Sequence, residues 1–412
     1  MTIRSHLNVF SRLFSIGAAM LLLSLSSLAY AQKLDQPQKQ TQQQRDVYSF
    51  AQDGLYFSNQ AKGTRLNKVT RLAQDHYQMT ISSAFVPTNT SSFFAFQLWS
   101  LTSKKVKLSL KYTEHKHRYV PKFSVDRRQW QPISGLIMSE GDTVATFDVD
   151  VSPTKLWLAA QEIESAQDTY DWLDALMAGK PFLKKQAVGK SVQGQDLWMV
   201  AAEQEKVKPS LVLIARQHPP EIPGGTFAFK AFYEEVVGNS ELAQLFRTAF
   251  NIYTFPLLNP DGADGGFWRH NANGFDLNRD WQAFSQPETR AVRDFVTQKV
   301  AKEGKQLVFG VDFHTSFNGP YLLILNEQNE ANANTAIIPQ VIKNAQQNAP
   351  IMAQYRRREQ NLPYCYNWFF NEFGAEAVTY EEGDETDRRV IYARAKLYAQ
   401  SLMKAMLSEQ AR

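Results

Sequence analysis

Cysteine is almost missing from this chain: among 412 residues there is one, Cys365, so no disulfide can close within a single copy. A disulfide-framed scaffold is excluded, as is a lipid-anchored leader, which needs a cysteine at its cleavage point. Cys365 stands among Tyr364, Tyr366, Trp368 and Phe369, a setting for packing rather than for a nucleophilic thiol. Charge of one sign is scarce as well. The net charge is +4, and it falls to about +2 without Arg4 and Arg12, too weak a field to imply nucleic acid. Beyond the first thirty residues no apolar run is long enough to cross a bilayer.

What is present begins with a secretory pattern. Arg4 and Arg12 flank the start of an apolar run from about Phe14 to Leu28, and Ala29-Tyr30-Ala31 forms a small-x-small cleavage box before Gln32. The run is shorter than a spanning helix needs, which favours cleavage over an uncleaved membrane anchor. Residues 1–31 are therefore expected to be removed, giving a secreted or periplasmic protein with no membrane span. Residues 32–46 are glutamine-rich without apolar periodicity and are expected to be a disordered tether.

From 47 to 160 short β-rich runs alternate with turn residues, among them Leu55 to Phe57, Tyr77 to Ile81, Phe93 to Leu98, Val106 to Tyr112 and Val144 to Val149. This predicts a small antiparallel β-sandwich domain. From 165 to 412 strands alternate with helices. Leu211 to Ala215, Ile252 to Leu257, Leu307 to Asp312 and Ala377 to Glu381 read as strands, and the stretches near Thr226 to Val237, Pro287 to Lys302, Thr335 to Gln347 and Ile391 to Ser408 read as helices. The fold class is α/β, a mixed-sheet α/β/α domain behind the sandwich, with its sites expected at the carboxyl ends of strands.

Three polar segments sit at such ends. His218 and Glu221, three residues apart in a Pro- and Gly-rich turn, follow the strand that ends near Ala215, Asn259 follows the one from Ile252 to Leu257, and His314 follows the one ending at Asp312. Two imidazoles and a carboxylate with one open position are the donor set of a hydrolytic zinc site, so one zinc ion per chain is expected on His218, Glu221 and His314. Between them, Asn278 beside Arg279 makes a donor fork suited to a carboxylate.

Taken together the motifs resemble the zinc metallocarboxypeptidases, in particular the cytosolic-carboxypeptidase-like branch with an N-terminal β-sandwich. The resemblance rests on Gly189-Lys-Ser-Val-Gln-Gly194, His218-Pro-Pro-Glu221, Asn259-Pro-Asp-Gly262, Trp268-Arg269, Gly274-Phe-Asp-Leu-Asn-Arg279, Asp312-Phe-His314 and Thr379-Tyr-Glu381. It implies zinc on His218, Glu221 and His314, with Asp276 orienting His218. It implies Asn278 and Arg279 as the grip on a substrate's terminal carboxylate, Arg269 as the stabiliser of the oxyanion, and Glu381 as general base and acid. Strand alternation separates Glu381 from its neighbour Glu382. A mobile tyrosine is implied too, with Tyr364 preferred over Tyr355 and Tyr366.

The implied reaction is hydrolysis of the C-terminal amide bond of a peptide or muropeptide that carries a free C-terminal carboxylate. A zinc amidase or deacylase of the desuccinylase type, and a binding protein on the same scaffold, are the alternatives. Outside the constellation, His115 and His117 fall on one face of an expected strand but lack a third ligand, which makes them surface histidines. Arg356-Arg-Arg358 reads as a solvated charge run rather than a pocket for an acidic side chain.

Overall fold

Alternation of apolar and polar residues is strongest in Val144–Val151, where every second side chain is buried towards the end of the strand, and this period of two is what lets a strand close one face of a core. The computed structural model describes residues 39–41, 43–325, 337–347, 354–359 and 361–411. The expected signal, residues 1–31, lies outside them. Gln38–Arg412 form one compact unit.

Its N-terminal part holds two facing sheets. The six-stranded sheet is ordered Gln131–Pro132, Lys122–Ser124, Leu156–Ala159, Ala95–Ser100, Leu55–Ser58 and Val47–Phe50. The five-stranded sheet is ordered Ile137–Ser139, Val144–Val151, Lys104–Tyr112, His76–Ile81 and Lys68–Ala73. Phe57, Phe96 and Leu98 from the first meet Met79, Leu108 and Phe147 from the second in one core. The sandwich is as expected, except that His76–Ile81 pairs parallel with Lys104–Tyr112. Trp268, from the other part of the chain, completes this core and donates its indole N–H to the Phe93 carbonyl at 2.7 Å.

The expected tether is not loose where it is described. Lys39–Gln40 pairs with Phe85–Val86, the Gln43 side chain donates to the Thr64 carbonyl, and Arg45 donates to the carbonyls of Asn59, Ala61 and Asp264. Backbone carbonyls at turn ends, which need partners when covered, fix this segment.

The second part is an eight-stranded mixed sheet. In chain order its strands are β1 (Leu183–Lys190), β2 (Asp196–Ala202), β3 (Pro209–Ala215), β4 (Asn251–Phe255), β5 (Gln306–Ser316), β6 (Tyr321–Leu325), β7 (Gln354–Arg358) and β8 (Glu376–Gly383), and in space they run β1-β2-β4-β3-β5-β8-β6-β7. The four central strands β4, β3, β5 and β8 are mutually parallel. Buried on both faces, they read as apolar runs.

Alternation sorts their side chains between two helical layers. Leu211, Leu213, Phe309, Val311, Phe313, Val378 and Tyr380 face the helices Phe229–Val236, Ile337–Gln346 and Arg388–Gln410. Val212, Ile214 and Ala377 face Pro287–Ala301 and Cys365–Phe373. Asp312, His314, Thr379 and Glu381 continue the second set, so the sheet aims all four into the same layer.

Candidate active site

Parallel strands β3, β5 and β8 end side by side, with His314 in register with Glu381, and the chain leaving β3 turns at once. Arg216 takes a left-handed conformation at φ 58°, and its guanidinium bonds the Thr226 hydroxyl and the Glu164 carbonyl. The turn Gln217 to Ile222 then enters a short π-helix, Pro223–Ala228. Gly224 must be glycine: a Cβ there would lie 1.6 Å from the His314 carbonyl oxygen. Its N–H instead reaches the Thr315 hydroxyl at 2.8 Å, which locks the His218 turn against β5. Asn259 holds the turn from the other side, donating to the carbonyls of Gln217 and His270.

This brings His218, Glu221 and His314 together, each buried, with one ligand atom from each within 4.8 Å of the others. Nδ1 of His218 lies 2.8 Å from Oε1 of Glu221, and Nδ1 of His314 lies 2.7 Å from Oε2. The far sides of both rings meet carboxylates: Nε2 of His218 is 2.9 Å from Asp276 and Nε2 of His314 is 2.9 Å from Asp312. A carboxylate at Nε2 fixes the proton there, which leaves each Nδ1 as a lone pair aimed at Glu221.

Acceptors converging on one point require a cation between them, and two imidazoles with a carboxylate match zinc. In the metal-free chain a proton substitutes. Burial disfavours the His314 imidazolium, but Asp312 and Glu221 outweigh it and hold its pKa well above the ordinary range. Burial likewise opposes ionisation of Glu221, and His218 and His314 override it, holding that carboxyl well below its usual value.

Asp276 is where the cationic side chains converge. Its Oδ2 accepts from Arg269 Nε at 2.6 Å, and its Oδ1 also takes the Asn278 N–H. Burial raises its pKa, while Arg269, Arg279 and His218 more than reverse that. With Nε engaged, the terminal nitrogens of Arg269 make no hydrogen bond among the described residues.

Asn278 is held more tightly than a free donor fork. Its side-chain oxygen accepts the Cys365 N–H at 3.0 Å; its nitrogen, 3.2 Å from Nε2 of His314, is not held by that ring, whose Nε2 proton is directed to Asp312. The Arg279 guanidinium stacks 4.3 Å above the centre of the Tyr364 ring.

These groups share a cavity of about 290 Å³ with Glu381, whose Oε2 is buried without a hydrogen-bond partner among the described residues. Burial pushes the Glu381 pKa up to about 8, with Glu221 and Asp312 adding to the rise and His314 and Arg269 opposing it. Glu382, on the opposite face, accepts from Arg394 and from the Tyr380 hydroxyl. Tyr364 and Tyr366 line the cavity; Tyr355 sits half exposed on β7 and does not.

Several contributors were not singled out from sequence. Asp312 orients His314, and Gln217 donates to both its oxygens at 2.8 Å while accepting from the Trp281 indole. The signal for Asp312 was its place two residues before His314, on the same strand face. Asn89, Thr90 and Arg118 reach the cavity from the sandwich, and no local motif marks them.

Two expectations change. His115 and His117 lie in the loop after Lys104–Tyr112 rather than on a strand, and they bond apart, to the Thr88 carbonyl and the Tyr112 hydroxyl. The arginine run is the exposed edge strand β7, yet Arg358 reaches the cavity and Arg356 stacks on Tyr321 at 3.8 Å.

Comparison with known proteins agrees with this geometry. Residues 169–383 match the family model described as zinc carboxypeptidase. Cytosolic carboxypeptidase 6 of Caenorhabditis elegans is 30% identical over 167 residues, 38% of this chain and 36% of that protein. An uncharacterised protein of Zymomonas mobilis is 30% identical over 210 residues, covering 49% of this chain and 50% of its own. The chain thus spans half or less of the length of these curated relatives.

Among solved structures, a metallo-carboxypeptidase from Burkholderia cenocepacia superposes with a TM-score of 0.71 over 87% of this chain and 99% of its own, at 18% identity. One from Pseudomonas aeruginosa, in complex with (2-guanidinoethylmercapto)succinic acid, gives 0.68 over 86% of this chain and 100% of its own, at 19% identity. At such identity the likeness is one of fold. The family match covers just over half of the chain and contains His218, Glu221, Asp276, His314 and Glu381: this chain belongs to the zinc carboxypeptidase family.

Proposed function

We propose that the protein is a carboxypeptidase that hydrolyses the C-terminal amide bond of an exported peptide or muropeptide. The observation that carries this reading is the convergence, in one cavity, of a three-donor metal triad, a carboxylate with a buried oxygen unpaired among the described residues, and the arginines Arg269 and Arg279. His218, Glu221 and His314 would hold a zinc ion, which would supply Lewis acidity toward the scissile carbonyl and a water molecule.

The remaining steps belong to side chains. Arg279, braced by the Tyr364 ring, takes the substrate's terminal carboxylate together with Asn278, and this selects chain ends over internal bonds. Arg269, anchored through Nε on Asp276, turns its terminal N–H groups to the oxygen on which negative charge develops. Its orientation is fixed before reaction, which is where such stabilisation is most effective.

Glu381 removes a proton from the attacking water and delivers it to the departing amine. Its high pKa in the metal-free chain reflects burial among other acids. A divalent cation held by the triad would favour the ionised form of this carboxyl, as a base requires. The secretory pattern supports action outside the cytoplasm.

The test uses zinc-loaded protein with a mixed library of peptides and muropeptides, free or amidated at the C-terminus, and identifies the released residue by mass. Single-residue release from free ends, lost in Glu381→Gln with zinc retained, is the expected result. Release of acyl groups in place of C-terminal residues, or full turnover by Glu381→Gln, overturns the reading.

A further inference from the structure

A second cleft, of about 440 Å³, opens where the N-terminal segment, the sandwich and the turn after the helix Pro260–Gly265 meet. Its wall carries three cations, Arg45, Lys62 and Arg65, against one carboxylate, Asp264. Asp264 is spoken for: one oxygen pairs with Lys62 at 2.7 Å and the other accepts the Ala166 N–H. Arg45 spends its donors on backbone carbonyls and the Thr64 hydroxyl, and the carboxylate that attracts it is the same Asp264.

Arg65 is the anomaly. It is 1% exposed, and its Nε and one terminal nitrogen, both buried, have no hydrogen-bond partner among the described residues. An arginine carries five N–H donors, and its charge remains in place at any physiological pH. A buried guanidinium with donors unused is destabilising unless something pairs with it.

The protein supplies little that does. Phe267, which also lines the cleft, has its ring centre 5.9 Å from the guanidinium carbon, a weak contact. Glu114 attracts Arg65 from outside the cleft, but one of its oxygens is already bonded to the Ser83 N–H. Burial and the neighbouring Arg45 together pull the Arg65 pKa down to about 9, the signature of a cation short of an anion.

The backbone around Arg65 is held in place. It pairs in both directions with Ala95, at 2.7 and 3.1 Å, within the sandwich core. The side chain is thus presented from a rigid strand edge and cannot be withdrawn to water without opening that core. Gln193 and Gln195 complete the wall with neutral amides, groups suited to hydrogen-bonding an oxyanion without repelling it.

We propose that this cleft is a binding site for an oxyanion group, a phosphate, sulfate or carboxylate borne by a small ligand, held between Arg65, Arg45 and Lys62. At about 440 Å³ the cleft has room for a ligand larger than a bare ion. The site is separate from the reaction centre: it shares no lining residue with the cavity around Glu381.

The experiment measures thermal unfolding of the zinc-loaded full chain with inorganic phosphate, sulfate or acetate, each against sodium chloride at equal ionic strength. A saturable rise in Tm with at least one oxyanion is expected, with the ranking of tetrahedral anions against acetate identifying the source chemistry. Arg65→Met should abolish the rise, and its Tm without anion should equal or exceed that of the wild type, since an unpaired buried charge is gone.

Lys62→Glu, at an exposed position, should fold normally and weaken binding by roughly tenfold or more. Arg279→Met should keep the rise, which separates this cleft from the arginines of the catalytic cavity. A wild type that responds no more to oxyanions than to chloride overturns the proposal. So does a rise that persists in Arg65→Met and Lys62→Glu, or one that disappears in Arg279→Met.

Discussion

Replacing Asp312 by asparagine changes one oxygen for an NH2 group and almost nothing in volume, yet the surroundings leave the new amide no good orientation. The side chain is 0% exposed. One oxygen faces Nε2 of His314 at 2.9 Å, and both face the Gln217 amide nitrogen at 2.8 Å. Gln217 cannot turn to offer its oxygen, because that oxygen holds the Trp281 indole N–H at 2.9 Å. In Asp312→Asn the added N–H therefore opposes either the Gln217 donor or the His314 N–H. The remaining acceptor is also neutral, so the imidazole becomes a poorer ligand.

Removal of such an orienting partner typically costs 10- to 100-fold in metal affinity, about 1.4 to 2.7 kcal/mol. Competition for zinc against a chromophoric chelator measures it directly. Turnover at saturating zinc should largely recover, because Asp312 is hydrogen-bonded to Gln217 and His314 rather than to Arg269 or Glu381 and acts on Glu381 only through its charge. Asp276→Asn provides the contrast. It weakens zinc comparably through His218 but also releases Arg269, whose Nε bond to Asp276 is 2.6 Å, so its kcat should stay depressed even when the metal site is full. A folded Asp312→Asn protein that holds zinc within about twofold of wild type refutes the argument, since Asp312 would then only fill space.

Two further outcomes follow from the same geometry. Arg279→Met should raise KM for free-ended peptides far more than it lowers kcat, with a loss in kcat/KM of roughly 10- to 150-fold for about 1.5 to 3 kcal/mol of charged hydrogen bonding; equal losses on free-ended and amidated peptides would remove Arg279 from carboxylate recognition. In the zinc-free protein, the Glu381 pKa of about 8 lies above the ordinary value of 4.5, so the folded state holds a proton that the unfolded state has lost across that window. Stability should fall as pH rises from about 4.5 to 8, and the slope should flatten in Glu381→Gln; an unchanged slope in that variant assigns the titration elsewhere.

His218, His314 and Glu381 could be picked out from sequence because polar residues are costly in buried parallel strands, and all three stand where apolar runs end. Alternation then did the finer sorting, placing Glu381 in the cavity and Glu382 against Arg394. What sequence reading lost has a common physical origin. The edge strand β1 reads LKKQAVGK and β7 reads QYRRR; edges face water and carry charge, so their period-two signal is diluted. The helix Cys365–Phe373 is only nine residues long, and its few polar positions, Asn367, Asn371 and Glu372, are too short a pattern to mark it as a helix.

Contacts between distant segments leave no local trace at all. Arg118 pairs with Asp384, 266 residues away, through two bonds of 2.7 and 3.0 Å, and so carries a sandwich loop to the strand end that bears Glu381. Arg65 was equally silent. A lone arginine in a turn-rich stretch reads as solvated surface, and only the fold reveals that its charge is enclosed. The legible residues are those whose neighbours in sequence are also their neighbours in space. For Asp276 and Asn278 this held within one short turn, whereas Arg118 and Arg65 owe their surroundings to the packing of the sandwich on the α/β layers. Their roles therefore have to be argued from burial and unmet hydrogen bonds rather than from motif.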